Sequence, residues 1–264
     1  MKNLKEKYIE EGFILVKNFF NEKEIKIVKK DIEKIFKNYC GKSSDDAIIK
    51  LFQADFEGFH GCAKACQNLI SLYRMSTSKK VTNFLKHLGL KFPSINTKPL
   101  LSFSSHKTAK TEINWKVPAH QDWPSVQGSL NGLTCWIPLV DLNEDLGYLE
   151  IAKKSHRRGC LNHEIQNVPV LGEDKLLNEK FTPIKMKLGD LLAFNFFTIH
   201  RSGLNKTKNE IRITTHFRYN DLEEETFIQR KLPHHRVDTF KAEILFPDFP
   251  NQKQMKSFLR KQIL

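Results

Sequence analysis

The sequence predicts a mainly β protein with flanking helices, its core an antiparallel double-layered barrel, or jelly roll, with the N-terminal helices packed outside. Three observations carry this reading. Before about residue 92, apolar residues recur at helical spacing; after Pro93, short β-rich runs follow one another between turn signals; and no helix-length periodic segment interrupts those runs. The last point argues against βαβ units. A chain of 264 residues can bury about three quarters of its unfolded surface, so its core needs neither disulfide nor structural metal. At 40% hydrophobic, 28% charged and 11% aromatic, it is neither disordered nor fibrous. We read residues 1–264 as one domain: a helical part over about 1–92, the jelly-roll core over about 93–220, and a C-terminal extension over 221–264.

The elements follow in order. Residues 12–20 (GFILVKNFF) read as a short strand. Asn21 opens N-E-K-E, a capping-box pattern with Glu24 at the third helical position. Ile25, Val28, Ile32, Ile35 and Phe36 then give an amphipathic helix over 22–39, which Gly41 to Asp46 punctuates. Two more helices are expected over 62–75 and 78–88, the second closing at Gly89. The β-rich runs are Pro99–Ser105, Leu133–Val140, Tyr148–Ala152, Pro183–Lys187, Leu191–Phe197 and Ile211–Tyr219. Asn131-Gly132, Asp145-Leu146-Gly147 and Gly189-Asp190 separate them.

Lys and Arg number 43 against 30 Asp and Glu, a formal charge of +13. Two readings of this surplus stand: an anionic partner, or the Lys-, Ile-, Asn- and Phe-rich composition of AT-favouring codons. Cys40, Cys62, Cys66, Cys135 and Cys160 are odd in number and lack paired CxxC spacing, which fits reduced thiols in a cytoplasm. The opening residues show no apolar secretory core, no run approaches a membrane span, and Lys261-Gln262-Ile263-Leu264 is not an SKL-type signal. A cytoplasmic location is the expectation.

The chemistry centres on Ala119-His120-Gln121-Asp122-Trp123. On an extended chain, residues i and i+2 point to one side, about 6–7 Å apart, so His120 and Asp122 can converge on one metal ion. His200, just after the apolar run LLAFNFFTI, supplies a third ligand. Two histidines and one carboxylate on one face of an octahedron leave three positions open, the ligand set of non-haem Fe(II) oxygenases. A turn-rich loop from Arg201 to Thr207 leads to a strand carrying Arg212, and a hairpin would bring that guanidinium back beside His200. It could clamp a carboxylate through two parallel hydrogen bonds, as a bidentate 2-oxoacid cosubstrate requires.

The segments HQDW, GLTCWIPL, LGYLEIAKKSHRRG and GDLLAFNFFTIHRSGLNKTKNEIR, in that order, together with the opening EEGFILVKNFFNEKEI, resemble the phytanoyl-CoA dioxygenase family of Fe(II)/2-oxoglutarate-dependent oxygenases. The resemblance covers roughly residues 8–220. It implies a double-stranded β-helix, cupin-like core, with Fe(II) held by His120, Asp122 and His200, and with 2-oxoglutarate and O2 as co-reactants. It also implies that Arg212 binds the far carboxylate of 2-oxoglutarate, that Trp136 lines the cosubstrate pocket, and that Gln121, Ser202 and Asn205 support it. For Ser202 and Asn205 a capped turn joining two strands is the competing reading. The implied outcome is hydroxylation of a small-molecule or carrier-linked substrate with release of succinate and CO2, since related halogenases replace the carboxylate ligand that Asp122 retains. The family's P-G-S-H turn reads here as Ala152-Lys153-Lys154-Ser155-His156, which leaves His156 open between a site-facing and a structural role.

Lys107, Lys110 and Lys116 lie upstream of HQD as further cosubstrate candidates, and Arg218 is a second candidate clamp. His216 shares a strand face with Arg212, while His234, His235 and Arg236 form a basic loop cluster. Two other functions compete: a non-redox metal-dependent cupin-like isomerase or hydrolase, and a basic nucleic-acid-binding protein. No recognisable nucleic-acid motif supports the second, and the expected partner is a small, anionic molecule.

Overall fold

The computed structural model describes residues 2–108, 116–166, 168–233, 251 and 253–254. Lys110, His234, His235, Arg236 and the final four residues lie outside the described residues.

Helix α1 (Lys2–Glu11) leads into strand β1 (Phe13–Val16), and α2 (Glu22–Cys40) follows. Both halves of the expected capping box form: the Asn21 side chain accepts from the Glu24 N–H at 3.0 Å, and the Glu24 carboxylate accepts from the Asn21 N–H at 2.8 Å. Gly41, at φ 78°, ends the helix in the left-handed region, where a side chain would add strain. The buried stripe is Ile25, Val28, Ile32 and Phe36, as the periodicity predicts.

Three further helices depart from the expectation. The GKSSDD segment does end α2, but its Ser44 accepts from the Ala47 N–H and so starts α3 (Asp45–Ala54). The helix expected over 62–75 is two, α4 (Phe56–Gln67) and α5 (Ile70–Ser76). The break falls at Asn68, whose amide donates back to the Lys64 carbonyl, a side-chain bond that competes with helix continuation. Helix α6 (Lys79–Leu88) starts on a Ser78 cap and closes at Gly89 as expected.

The strands form two facing antiparallel sheets. The larger has the order β1, β8 (Leu191–Asn195), β3 (Leu133–Pro138), β10 (Arg212–Asp221), β2 (Pro93–Ser104). The smaller has the order β7 (Phe181–Pro183), β4 (Leu149–Ala152), β9 (His200–Ser202). A separate pair joins β5 (Glu164–Gln166) to β6 (Val168–Val170), and the short helices α7 (Trp123–Val126), α8 (Glu173–Leu176) and α9 (Glu225–Gln229) lie in connections.

The strand expected over 12–20 is confined to Phe13–Val16, and two further boundaries depart most from the expectation. The run Pro183–Lys187 is not a strand. Pairing stops at Pro183, and the following turn is organised by Asp190, whose carboxylate accepts from the N–H groups of Lys187 and Asn18 and from the Lys17 ammonium. Strand β2 starts at Pro93 rather than Pro99, because the polar stretch Ser94–Lys98 carries no apolar alternation to read. Its register against β10 shifts between His216 and Arg218 and again between Arg218 and Tyr219. Pro99, which has no N–H for the ladder, lies within the first shift.

The larger sheet is buried on both faces. Leu133, Cys135 and Ile137 of β3, Leu191 and Ala193 of β8, and Ile213, Phe217 and Tyr219 of β10 share one apolar cluster with Ile25, Phe36, Leu72 and Leu85 of the helices. Full burial of each such Leu, Ile or Phe contributes about 1.5–3 kcal/mol. The alternate residues Trp136, Leu192 and Phe194 pack instead with Leu149 and Ile151 of the smaller sheet. The helices therefore sit outside a jelly roll, as the sequence predicts. Among the described residues, no helix is long and apolar enough to cross a membrane.

Candidate metal centre and its cavity

His120 and His200 form an isolated antiparallel bridge in which each backbone N–H donates to the other's carbonyl at 3.0 Å. The bridge sets the two imidazoles side by side, with ring centroids 4.2 Å apart. His120 Nδ1 lies 2.8 Å from the Pro118 carbonyl oxygen, and His200 Nδ1 lies 3.0 Å from that of Thr198. A carbonyl only accepts, so both Nδ1 atoms carry the proton and both Nε2 lone pairs stay free. Burial pushes the His120 imidazole down to about 3, reinforced by His200, and burial lowers His200 as well. Both rings are neutral at physiological pH, as metal ligation requires.

Asp122 joins them by a different route from the expected strand alternation. It is not extended: it sits in the right-handed helical region (φ −73°, ψ −30°) as the residue before α7. A turn into a helix, rather than a two-residue strand period, aims its carboxylate at His120, with Oδ1 3.9 Å from Nε2. One donor atom from each of His120, Asp122 and His200 falls within 4.8 Å of the others. Bonds of about 2.1 Å to a shared ion would place such donors about 3–4 Å apart, so the set fits one metal after small side-chain movements. The carboxylate is also held from behind. Thr134 Oγ1 donates to Oδ2, and Arg218 Nη2 donates to Oδ1 at 2.6 Å. Burial acts to raise this carboxyl, but the Arg218 guanidinium and the two imidazoles hold it far below the usual carboxylate range.

The three donors open on a cavity of about 300 Å³ between the sheets, the size of a small-molecule site. Strand β10 alternates across it. Arg212, Thr214, His216 and Arg218 line the cavity, while Ile213, Phe217 and Tyr219 face the helices. Arg212 is 4% exposed. Its Nη1 donates to the carbonyls of Leu146, Gly147 and Gly203 at 3.2, 2.9 and 2.8 Å, and its Nη2 to Ser104 Oγ at 3.2 Å. Glycine is needed where those carbonyls meet: a Cβ at Gly147 (φ 76°) would lie 2.4 Å from the Leu204 oxygen, and one at Gly203 2.2 Å from the Tyr148 oxygen. Burial pushes the Arg212 guanidinium down to about 10, still charged at neutral pH.

Of the other candidates, Trp136, Ser202 and His216 line the cavity. Burial, with Arg218 nearby, pushes His216 down to about 3, so it is a neutral wall residue. Gln121 does not reach the cavity as a cosubstrate contact. Its amide donates to the Gly159 and Phe197 carbonyls, both at 2.7 Å, and its oxygen accepts from the Leu161 N–H, so it braces the loops behind His120 and Asp122. Asn205 is a turn brace, donating to the Ser104 and Glu210 carbonyls. His156 lies against α1, its Nε2 3.0 Å from the Ile9 oxygen. Lys107 reaches Asn209 at 2.8 Å on the exposed side, and Lys116 is exposed. The residue that sequence reasoning missed is Thr134. It shares a strand face with Trp136, two positions on, and that alternation could have revealed it.

A methylphosphonate hydroxylase from Gimesia maris is 29% identical over 147 residues, covering 52% of this chain and 55% of that protein. A 1-deoxypentalenic acid 11-beta-hydroxylase from Streptomyces exfoliatus is 29% identical over 111 residues, covering 37% of this chain and 38% of that protein. The chain thus aligns with about half or less of these relatives' length. The solved structure of the epimerase SnoN with Fe3+, alpha-ketoglutarate and nogalamycin RO matches at a TM-score of 0.59 and 16% identity, over 91% of this chain and 93% of the other. That of EctD from S. alaskensis, with 2-oxoglutarate and 5-hydroxyectoine, matches at 0.56 and 15%, over 84% and 76%. At these identities the two structures show a shared fold. The model of the phytanoyl-CoA dioxygenase (PhyH) family matches residues 8–214. Because that match runs from α1 into β10 and takes in His120, Asp122, His200 and Arg212, the chain belongs to the phytanoyl-CoA dioxygenase family.

Proposed function

We propose that the protein is an Fe(II)/2-oxoglutarate-dependent dioxygenase that hydroxylates a small-molecule substrate. The observation that carries this reading is the convergence of two neutral imidazoles and one carboxylate on a cavity that also holds a buried guanidinium. His120 Nε2, Asp122 and His200 Nε2 would hold iron(II). When bound, iron(II) with 2-oxoglutarate supplies the reduction of O2 that oxidises a substrate C–H bond, with release of succinate and CO2.

The chain's own residues do the rest. The Pro118 and Thr198 carbonyls fix the imidazole tautomers and ring orientations, while Thr134 and Arg218 orient the carboxylate. Arg212 is the clamp for the far carboxylate of 2-oxoglutarate. Three carbonyls hold its Nη1, so the fork is oriented before the ligand arrives. Ser104 and Ser202 stand beside it, and Trp136 and Leu149 wall the cavity against water. The second substrate is a small anion in this reading, in keeping with the +13 chain. A cytoplasmic location is supported by five free cysteines.

The test is an anaerobic titration with Fe(II) and then 2-oxoglutarate, followed by a succinate-release screen in air. The expected result is iron binding that His120→Ala, Asp122→Ala and His200→Ala each largely abolish, with succinate released only by the wild type. Wild-type iron stoichiometry in the triple variant would refute the site. Iron binding with no 2-oxoglutarate turnover would favour a non-redox metal enzyme.

A further inference from the structure

Two arginines face the cavity from β10, and their surroundings differ. Arg212 has its Nη1 taken up by three carbonyls. Arg218 is 8% exposed and, among the described residues, makes one bond, from Nη2 to Asp122 Oδ1, while its buried Nε and Nη1 have no hydrogen-bond partner there. An unpartnered buried guanidinium nitrogen costs far more than a neutral donor left open, so a second acceptor is missing. The two register shifts of β2 flank Arg218, and such irregularities re-aim side chains beside active sites. Arg218 also lies beyond residues 8–214, the segment matched to the family.

Charge points the same way. Among the described residues lining the cavity, Asp122 is the one acid, against Arg212 and Arg218. Iron(II) and dianionic 2-oxoglutarate cancel one another, which leaves one guanidinium charge without a counterion. A low-dielectric cavity does not leave such a charge unbalanced.

We propose that Arg218 binds the primary substrate, taking an oxyanion of it, carboxylate or phosphonate, on the nitrogens that Asp122 leaves open. This rests on the dioxygenase reading and names the substrate class that reading leaves undefined: a small organic acid whose oxidised C–H lies beside the anionic group.

The experiment is an anaerobic titration of the full chain carrying Fe(II) and 2-oxoglutarate, read by the visible charge-transfer band of an iron(II)-chelated 2-oxo acid. Butyrate, methylphosphonate and uncharged 1-butanol are the probes. In the wild type at least one of the two acids should shift the band, binding about a hundredfold more tightly than butanol; which acid it is separates carboxylate from phosphonate. Arg218→Gln should erase that preference, and Arg218→Lys should restore part of it. A purely structural role at Asp122 would instead weaken iron and 2-oxoglutarate binding and leave the acid-to-alcohol ratio unchanged. That result would overturn the proposal, as would a wild type that responds to neither acid, or loss of the band in both variants. Absence of the band in the wild type would strike at the dioxygenase reading itself and take this assignment with it.

Discussion

Strand β10 carries two chemistries on one backbone. Its helix-facing residues Ile213, Phe217 and Tyr219 sit in the main apolar cluster, while its cavity-facing residues Arg212, Thr214, His216 and Arg218 are all polar. Both rows are nearly free of solvent, yet they do different work. The apolar row is stabilised by burial alone, which is non-directional and tolerates exchange of shape. The polar row is costly to bury and is kept only where each group has a partner or awaits one. The contrast shows how a fold can separate stability from function at a spacing of one residue: substitutions on one face should change folding and leave ligand constants alone, and substitutions on the other should do the reverse.

The largest expected effect comes from the apolar row. Phe217→Ala empties a fully packed position and should lower unfolding free energy by about 3–5 kcal/mol in urea, with the 2-oxoglutarate constant of the folded protein nearly unchanged. A large loss of cosubstrate affinity would break the separation. Next is Arg212→Ala, which should raise the apparent 2-oxoglutarate constant about a hundredfold while iron affinity changes little. Arg212→Lys should recover only part, because an ammonium cannot reproduce the planar fork. Paired titration of metal and cosubstrate on one variant checks both statements.

A smaller effect is expected at the end of the same strand. Burial acts to raise the Asp221 carboxyl, but the N–H groups of Phe92 and Lys91 and the Asn131 amide overcome it and hold it below its ordinary value. Because the folded pKa lies below the unfolded one, this stabilisation is complete above the unfolded value of about 3.9. It is lost as pH falls through the folded one. Asp221→Asn should remove about 1 kcal/mol at neutral pH and flatten the acid side of the stability curve; an unchanged acid slope would show that Asp221 is not its source. The smallest effect is that of Lys107→Ala. Its ammonium meets Asn209 on the exposed side, so the 2-oxoglutarate constant should move less than about twofold, and a larger change would reopen Lys107 as a cosubstrate contact.

Legibility followed the range of the interactions. The helix α2 was readable because its cap, its apolar stripe and its terminal glycine are all local in sequence. Helix α3 was missed because Ser44 both follows one helix and starts another, and a cluster of turn residues does not say which. The pair His120 and Asp122 was found by spacing, though the geometry that unites them is a turn into α7 and not a strand. Gln121 stands between His120 and Asp122 and faces away from the cavity, toward backbone at Gly159, Leu161 and Phe197. Nothing within ten residues of it signals that.

By itself the sequence determined the alternation of β10, the capped and striped N-terminal helices, the residue types of a metal centre and the presence of a charged residue at Arg212, because each depends on neighbours a few positions away. Only the tertiary structure decided which partner each charged group meets. Arg218 is 96 positions from Asp122, and Arg212 finds its carbonyls at Leu146 and Gly147, 66 and 65 positions away. Coulombic and hydrogen-bond energies fall off with distance in space and are set by burial, and neither distance nor burial is written in the order of the residues.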